Sequence, residues 1–203
     1  MIAAPERTPE RDAALAAALA HVPFDGWTLT ALRRGLADAG ADPADAGRLF
    51  PGGAGDMIAA WFDLADRKMA AALAAPEYAD LRTGARVRAA ILLRLDQAAP
   101  HREALRRALA VFALPGHAGL AAACTARTAD AIWAAAGDRS DDFSWYTKRA
   151  ILAAVLAAIT LFWLGAGGED PEAVAAFLDR RLDGVARLGR LRARFAGPRA
   201  RSA

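Results

Sequence analysis

Cysteine is almost absent, with Cys124 the only one in 203 residues. A single thiol excludes a disulfide framework, and its scarcity suits a reducing compartment. Histidine is nearly as rare. His21, His101 and His117 are scattered, none has a Glu or Cys at metal-ligand spacing, and no H-E-x-x-H, E-x-x-H or Cys pair occurs. No metal site is expected. The few serines, Ser140, Ser144 and Ser202, lie outside any G-x-S-x-G turn. Cys124 sits among alanines with Arg127 as its first basic neighbour, which reads as a small core residue rather than a nucleophile. The glycine-rich stretches Gly52–Gly55 and Gly165–Gly168 match neither a Walker loop nor G-x-G-x-x-G. They run into Asp56 and into Glu169 and Asp170, acids that would repel a phosphate. These absences predict no enzyme, no metal and no cofactor.

Also scarce are β-branched residues and any alternation of strand period, while alanine and leucine dominate and prolines fall between periodic segments. The expected fold class is therefore all-α, in one domain with a short appendage. The N-terminus lacks the basic-then-apolar order of a signal peptide and is too acidic for a transit peptide, with Pro5, Glu6, Pro9 and Glu10 coming early. With the lone cysteine, this predicts a protein of the bacterial cytoplasm, peripheral to the inner membrane. The net charge is +3 but uneven: from Phe177 onward eight arginines face only Asp179 and Asp183, leaving the preceding body slightly acidic. A nucleic-acid binder more usually carries its basic surface on the folded body.

What is present is helical periodicity. Pro9–His21 reads as a first helix with Leu15 and Leu19 inward, broken by Pro23–Gly26. Thr28 is the predicted N-cap of a second helix, Leu29–Ala39, and Gly40 its left-handed terminator. Asp42 caps a short third segment from Pro43 to Phe50. This order is a helix-turn-helix layout, and it resembles the N-terminal module of TetR-type repressors, including the closing Phe50, Pro51 and Gly52. The third segment is nevertheless unsuited to DNA. Between Ala41 and Asp56 it offers Asp42, Asp45 and Asp56 against Arg48 alone, where phosphate neutralisation and base reading need cations and donors. No nucleic-acid partner is expected. Further helices are predicted over Met57–Leu73, Leu81–Leu95, from Pro100 to before Pro115, over Ala118–Ala136, through the stretch after Asp142, and from Pro171.

The chain is organised around Gly137–Leu164. It opens as a polar turn, sets Trp145 beside Tyr146, passes Lys148 and Arg149, and then has no charge before Glu169. A helix apolar on every face must be surrounded by apolar matter on every side. The uncharged run Ala150–Ala166 has 17 residues, roughly 25 Å of helix against a bilayer core of about 30 Å. A buried helix is therefore expected rather than a spanning one. Its alanines permit either close helix contact or an apolar cavity. Trp145 and Tyr146, about a hundred degrees apart on a helix, are both buried only if that end is widely enclosed. Otherwise one is an exposed aromatic of the type enriched at interfaces. Ile132 and Trp133 form a second adjacent pair on the preceding helix.

The segment TADAIWAAAGDRSDDFSWYTKRAILAAV, Thr128–Val155, resembles the signature region of the ubiquinone-biosynthesis accessory family known as Coq-nine. The similarity extends to FPGG at Phe50–Gly53 and FLDRRLDGV at Phe177–Val185. Asp141 stands where the family usually has Thr, and Ser144 where it has Asn; both are polar turn formers. The resemblance implies a TetR-like bundle of about nine helices with a degenerate helix-turn-helix, dimeric and without catalysis. It implies a hydrophobic cavity for an isoprenoid lipid or phospholipid, and delivery of a quinone precursor to a di-iron hydroxylase. Carried onto this chain, the partner-facing patch would be Ile132, Trp133, Trp145 and Tyr146 with Arg149. With the alanine-rich helix as one wall, the expected lipid contacts are Ala153, Ala157, Leu161 and Trp163.

The last helix carries Val174, Leu178, Leu182, Val185, Leu188, Leu191 and Phe195 as a stripe, with Arg187, Arg190 and Arg194 off it. Two readings stand: a solvated basic face, or a segment touching an anionic membrane surface. The resemblance implies a longer C-terminal extension with a membrane-binding helix in eukaryotic relatives, an element here missing or reduced to the Arg-rich end. The expected organisation is a flexible N-terminus over 1–9, a helix-turn-helix-like module over 10–56, a ligand-binding and dimerisation bundle over 57–195, and a basic tail over 196–203. The alternatives to a lipid-binding accessory protein are a ligand-responsive repressor and a purely structural helical dimer.

Overall fold

The first and third helices each start where a short polar side chain replaces a missing backbone partner. In a computed structural model that describes residues 4–138 and 143–195 (the backbone alone for 143–145 and 185–195), Thr8 accepts from Arg11 N at 3.1 Å and opens α1, Pro9–Ala18. The predicted extension of α1 to His21 fails. Pro23 sits in the first turn of a separate four-residue helix, α2, Val22–Asp25, which ends at Gly26 with φ 70°. Thr28 caps α3, Leu29–Asp38, accepting from Ala31 N at 3.2 Å. Gly40, at φ 71°, terminates α3 as expected, with Ala41 N bonded to Leu36 O and Gly40 N to Ala37 O. That pairing is the Schellman arrangement, and it needs a residue that tolerates the left-handed region.

The third segment is a 3₁₀ turn, Pro43–Asp45, followed by the four-residue α4, Ala46–Leu49. Phe50 ends it in the core at 0% exposure, beneath the Arg11 guanidinium 4.2 Å from its ring centre. Arg11 also donates to Leu49 O and to Asp56, so the Phe-Pro-Gly corner is a packing anchor between the module and the bundle. The next helix, α5, spans Gly53–Leu73. It begins four residues before the expected Met57, because the glycines after Pro51 join the helix instead of extending the break.

Then follow α6, Thr83–Ala98, a 3₁₀ turn, α7, Arg102–Phe112, and α8, Ala118–Ala135. Next come α9, Phe143–Leu164, and α10, Pro171–Phe195. All regular structure among the described residues is helical, as expected. The main contacts pair α1 with α3, α5 with α6 and α8, and α8 with α9. Leu15, Leu32, Ile58, Met69, Ile132, Ile159 and Leu178 are fully buried along this seam. Phe162 and Phe177 stack 4.2 Å apart at 9°, and Arg88 donates to Asp179 at 2.6 Å; together they hold the start of α10 on the body.

The surroundings of α9 differ from expectation. Leu152, Val155, Leu156, Ile159 and Trp163 face the core. Tyr146, Ala150, Ala154, Ala157 and Leu161 form an exposed stripe on the other side. By length and composition Tyr146–Leu164 is apolar enough to cross a membrane, yet only 22% of that span is buried. The helix is thus covered on one face by α8 and α10 and uncovered on the other. On α8, Ala118, Ala122 and Ala126 are exposed as well.

Candidate functional site: an α8–α9 patch and a largely apolar cavity

α8 is closed at Gly137, φ 83°, where Asp138 N bonds Trp133 O and Gly137 N bonds Ala134 O, each at 3.0 Å. Lys148 donates to Asp138 at 2.9 Å and lies over the Trp133 ring at 5.5 Å. Arg149 donates to Asp130 on α8. These two bridges from α9 to α8 fix the relative phase of the helices, and that phase sorts the expected partner-facing residues. Tyr146 is 71% exposed and Trp133 is half-buried. Ile132 has 0% exposure, which corrects its expected place on the patch: it packs inward while its neighbour Trp133 turns toward the rim. Trp145 has its side chain outside the described residues, as do Arg187, Arg190 and Arg194.

A cavity of about 450 Å³ opens beside α9, within the roughly 300–1,000 Å³ usual for small-ligand sites. Ala157 and Leu161 line it. Ala153 and Trp163 do not. Trp163 is instead buried under Arg102, whose guanidinium sits 4.8 Å from its ring. Arg102 also donates to carbonyls at the end of α9, including Gly165 O at 3.2 Å, supplying donors to acceptors that the helix terminus leaves unpaired.

The larger part of the wall comes from α5, α6 and α7. Trp61 and Phe62 of α5 continue to Phe112 of α7 through ring contacts of 5.7 and 5.5 Å, and Trp27 backs Trp61 at 5.2 Å. Trp27 is itself pinned by donation to Ala104 O at 2.9 Å. One signal was visible in the sequence: Arg94 interrupts the apolar stripe Ile91, Leu92, Leu95, as a core helix does only when the interior needs a cation.

Arg94 lies 5.6 Å from the Phe62 ring centre and pairs with Asp66 at 3.1 Å. Thr128 donates to the other Asp66 oxygen at 3.0 Å. Burial pushes the Asp66 carboxyl up to about 6 despite Arg94 and Thr128, and burial lowers Arg94 against the pull of Asp66. Gln97 and His101 follow Arg94 along the same cavity wall, with Lys68 of α5 beside them. Burial, then the charge of Lys68, lowers the His101 imidazole, which keeps it neutral at neutral pH. Cys124 is buried, and burial raises its thiol, outweighing Arg127, as fits a core residue. Among the described residues no group of His, Cys, Asp or Glu is arranged to hold a metal.

The helix-turn-helix module has its own charge arrangement. Arg48, the sole cation of the third segment, bonds both Asp45 at 2.9 Å and Glu10 at 2.6 Å. A duplex approaching this face would meet a neutralised arginine and acidic neighbours.

The model of the COQ9 family matches residues 118–189, which cover α8, α9 and most of α10. The chain is 30% identical over 182 residues to the ubiquinone biosynthesis protein COQ9, mitochondrial, of Rattus norvegicus, covering 86% of this chain and 58% of that protein. It is equally similar to the Homo sapiens protein of the same name, at 30%, covering 57% of it. It is 31% identical to the protein coq9, mitochondrial, of Schizosaccharomyces pombe, covering 69% of that protein. Among solved structures, a TetR transcriptional regulator from Nitrosomonas europaea superposes with a TM-score of 0.68 at 22% identity, over 88% of this chain and 99% of that one. At that identity the likeness shows a TetR-like fold and nothing further.

These relatives overturn one expectation. The bacterial, cytoplasmic placement drawn from the N-terminal composition and the lone cysteine conflicts with their names, which are those of mitochondrial proteins. The composition of the first residues describes those residues alone, and this chain spans little more than half of the mammalian relatives.

Proposed function

The chain belongs to the COQ9 family, and on that premise we propose that it serves ubiquinone biosynthesis as a non-catalytic accessory protein. It binds an isoprenoid lipid or phospholipid and presents a quinone precursor to the hydroxylase that modifies its ring. The observation that carries this reading is the apolar-walled cavity of about 450 Å³, open beside the exposed Leu161 and bounded by Trp61, Phe62 and Phe112. Its size admits a head group and part of a chain, so a longer isoprenoid would extend past Leu161.

Tyr146, with Trp133 and Trp145, supplies the hydroxylase-facing surface. A large aromatic held in the open by paired neighbours is the kind of anchor on which interfaces depend. The exposed alanines of α8 and α9 let a second copy approach closely and support a homodimer. Arg187, Arg190 and Arg194 give α10 the charge to touch anionic lipid. The repressor alternative is disfavoured by the neutralised third segment.

The test is native mass spectrometry after gentle extraction, paired with hydroxylase capture. Co-purifying lipid is expected, with weaker capture by Tyr146→Ala at unchanged helicity. Protein that is always empty, or a Tyr146→Ala variant that captures as well as the parent, overturns the respective half.

A further inference from the structure

The cavity is apolar by area but not by charge. Two cations, Lys68 and Arg94, are among its lining residues, and no carboxylate is. Asp66 compensates Arg94 from behind the wall. Lys68 is exposed and makes no ion pair among the described residues. Its neighbour His101, whose imidazole is lowered by burial and then by Lys68, can supply no negative charge in either protonation state. On the same wall the amide oxygen of Gln97 is buried without a hydrogen-bond partner. An acceptor shielded from water and left unpaired costs about 1–3 kcal/mol, and native interiors rarely leave one so unless something else fills the need.

We propose that the wall formed by Lys68, Gln97 and His101 recognises the acidic, hydroxyl-bearing head of a single-chain amphiphile, whose hydrocarbon chain lies along the aromatic wall from Trp61 to Phe112. This rests on the lipid-binding reading above and adds to it the polarity of the ligand. Three observations converge on the same chemistry. The lone ammonium attracts an oxyanion. The orphaned Gln97 oxygen requires a donor, which a bare hydrocarbon, a ketone or a fully substituted ester lacks. The absence of carboxylate from the lining leaves a cationic head with only repulsion. A phosphate monoester and a hydroxylated acid share the required features.

Calorimetric titration of the full chain, below micelle concentrations, tests this with dodecyl phosphate, dodecanoate, dodecanol and dodecyltrimethylammonium. Dodecyl phosphate is expected to bind at least tenfold tighter than dodecanol, and dodecyltrimethylammonium most weakly. Because Lys68 is exposed, Lys68→Glu is expected to fold normally and to erase the tenfold preference for dodecyl phosphate over dodecanol. Gln97→Met is expected to weaken dodecanol and dodecyl phosphate severalfold while sparing dodecanoate, which carries no donor at neutral pH. Dodecanoate, which lacks the donor, is expected to bind more weakly than dodecyl phosphate, and the reverse order overturns the hydroxyl requirement. Equal binding of the anionic and cationic probes, or a preference that survives in Lys68→Glu, overturns the head-group assignment and leaves the lipid reading standing. Failure of all four probes with the helical fold intact overturns both.

Discussion

Asp66 and Arg94 form a buried ion pair, 3.1 Å apart, in which burial opposes the charge of both partners. A pair in that position is a matched commitment rather than a source of stability, since desolvation offsets most of the attraction. Removing one partner strands the other. Asp66→Leu is expected to lower the free energy of unfolding by about 3–5 kcal/mol. The double replacement of Asp66 and Arg94 by leucine is expected to recover most of that loss. Urea unfolding of the three proteins checks it, and a double variant as unstable as the single would show that the pair itself stabilises.

The same carboxyl predicts a pH dependence. Its folded pKa, about 6, lies above the ordinary 3.8. The folded state therefore holds the proton more tightly, and this contribution to stability is fully present below pH 3.8 and lost as pH rises through 6. Relative to Asp66→Asn, the parent is expected to gain about 2–3 kcal/mol between pH 7 and pH 4. Asp63 behaves oppositely. Burial raises its pKa, but bonds from Arg7 and Arg67 together outweigh it and hold the carboxyl low. Its contribution is present above 3.8 and fades only in stronger acid, so the window from 4 to 6 isolates Asp66. A difference between parent and variant that stays flat over this window would refute the assignment.

Ile132 and Tyr146 divide the work of the hairpin. Ile132→Ala is expected to cost about 2–5 kcal/mol as a core truncation, visible as a lower urea midpoint. Tyr146→Ala is expected to stay within about 0.5 kcal/mol of the parent, as exposed replacements do. Equal destabilisation by both would place Tyr146 in the core.

Gly35 marks the closest approach in the N-terminal module. A Cβ there would lie 2.6 Å from the backbone of Ala17 and Ala18. Neither helix backbone can yield cheaply, so Gly35→Ala is expected to cost about 1–3 kcal/mol through forced separation of α1 and α3. Gly84, which has nothing within 4 Å of such an atom, is the control: Gly84→Ala is expected to be neutral or slightly stabilising because alanine is the better helix former. Amide exchange in α1 and α3 would report the difference.

Local chemistry alone determined much of this protein. Thr8, Thr28 and Asp42 open helical segments, Gly40 and Gly137 close helices, and all five can be read without knowing what lies nearby, because a cap acts within a few residues. The acidic third segment and the aromatic signature at the start of α9 were legible for the same reason. Packing decided the rest. Periodicity states which residues share a face but not which face a neighbour covers, and α9, apolar all round, carries no phase of its own. Hence Ile132 went inward, Ala153 and Trp163 missed the cavity, and one side of α9 stayed open. The cavity itself arises from α5, α6 and α7 meeting α9, where Arg94 finds Asp66 and Gln97 is left beside Lys68. Those pairings depend on helix–helix angles, and no single helix records them in its own sequence.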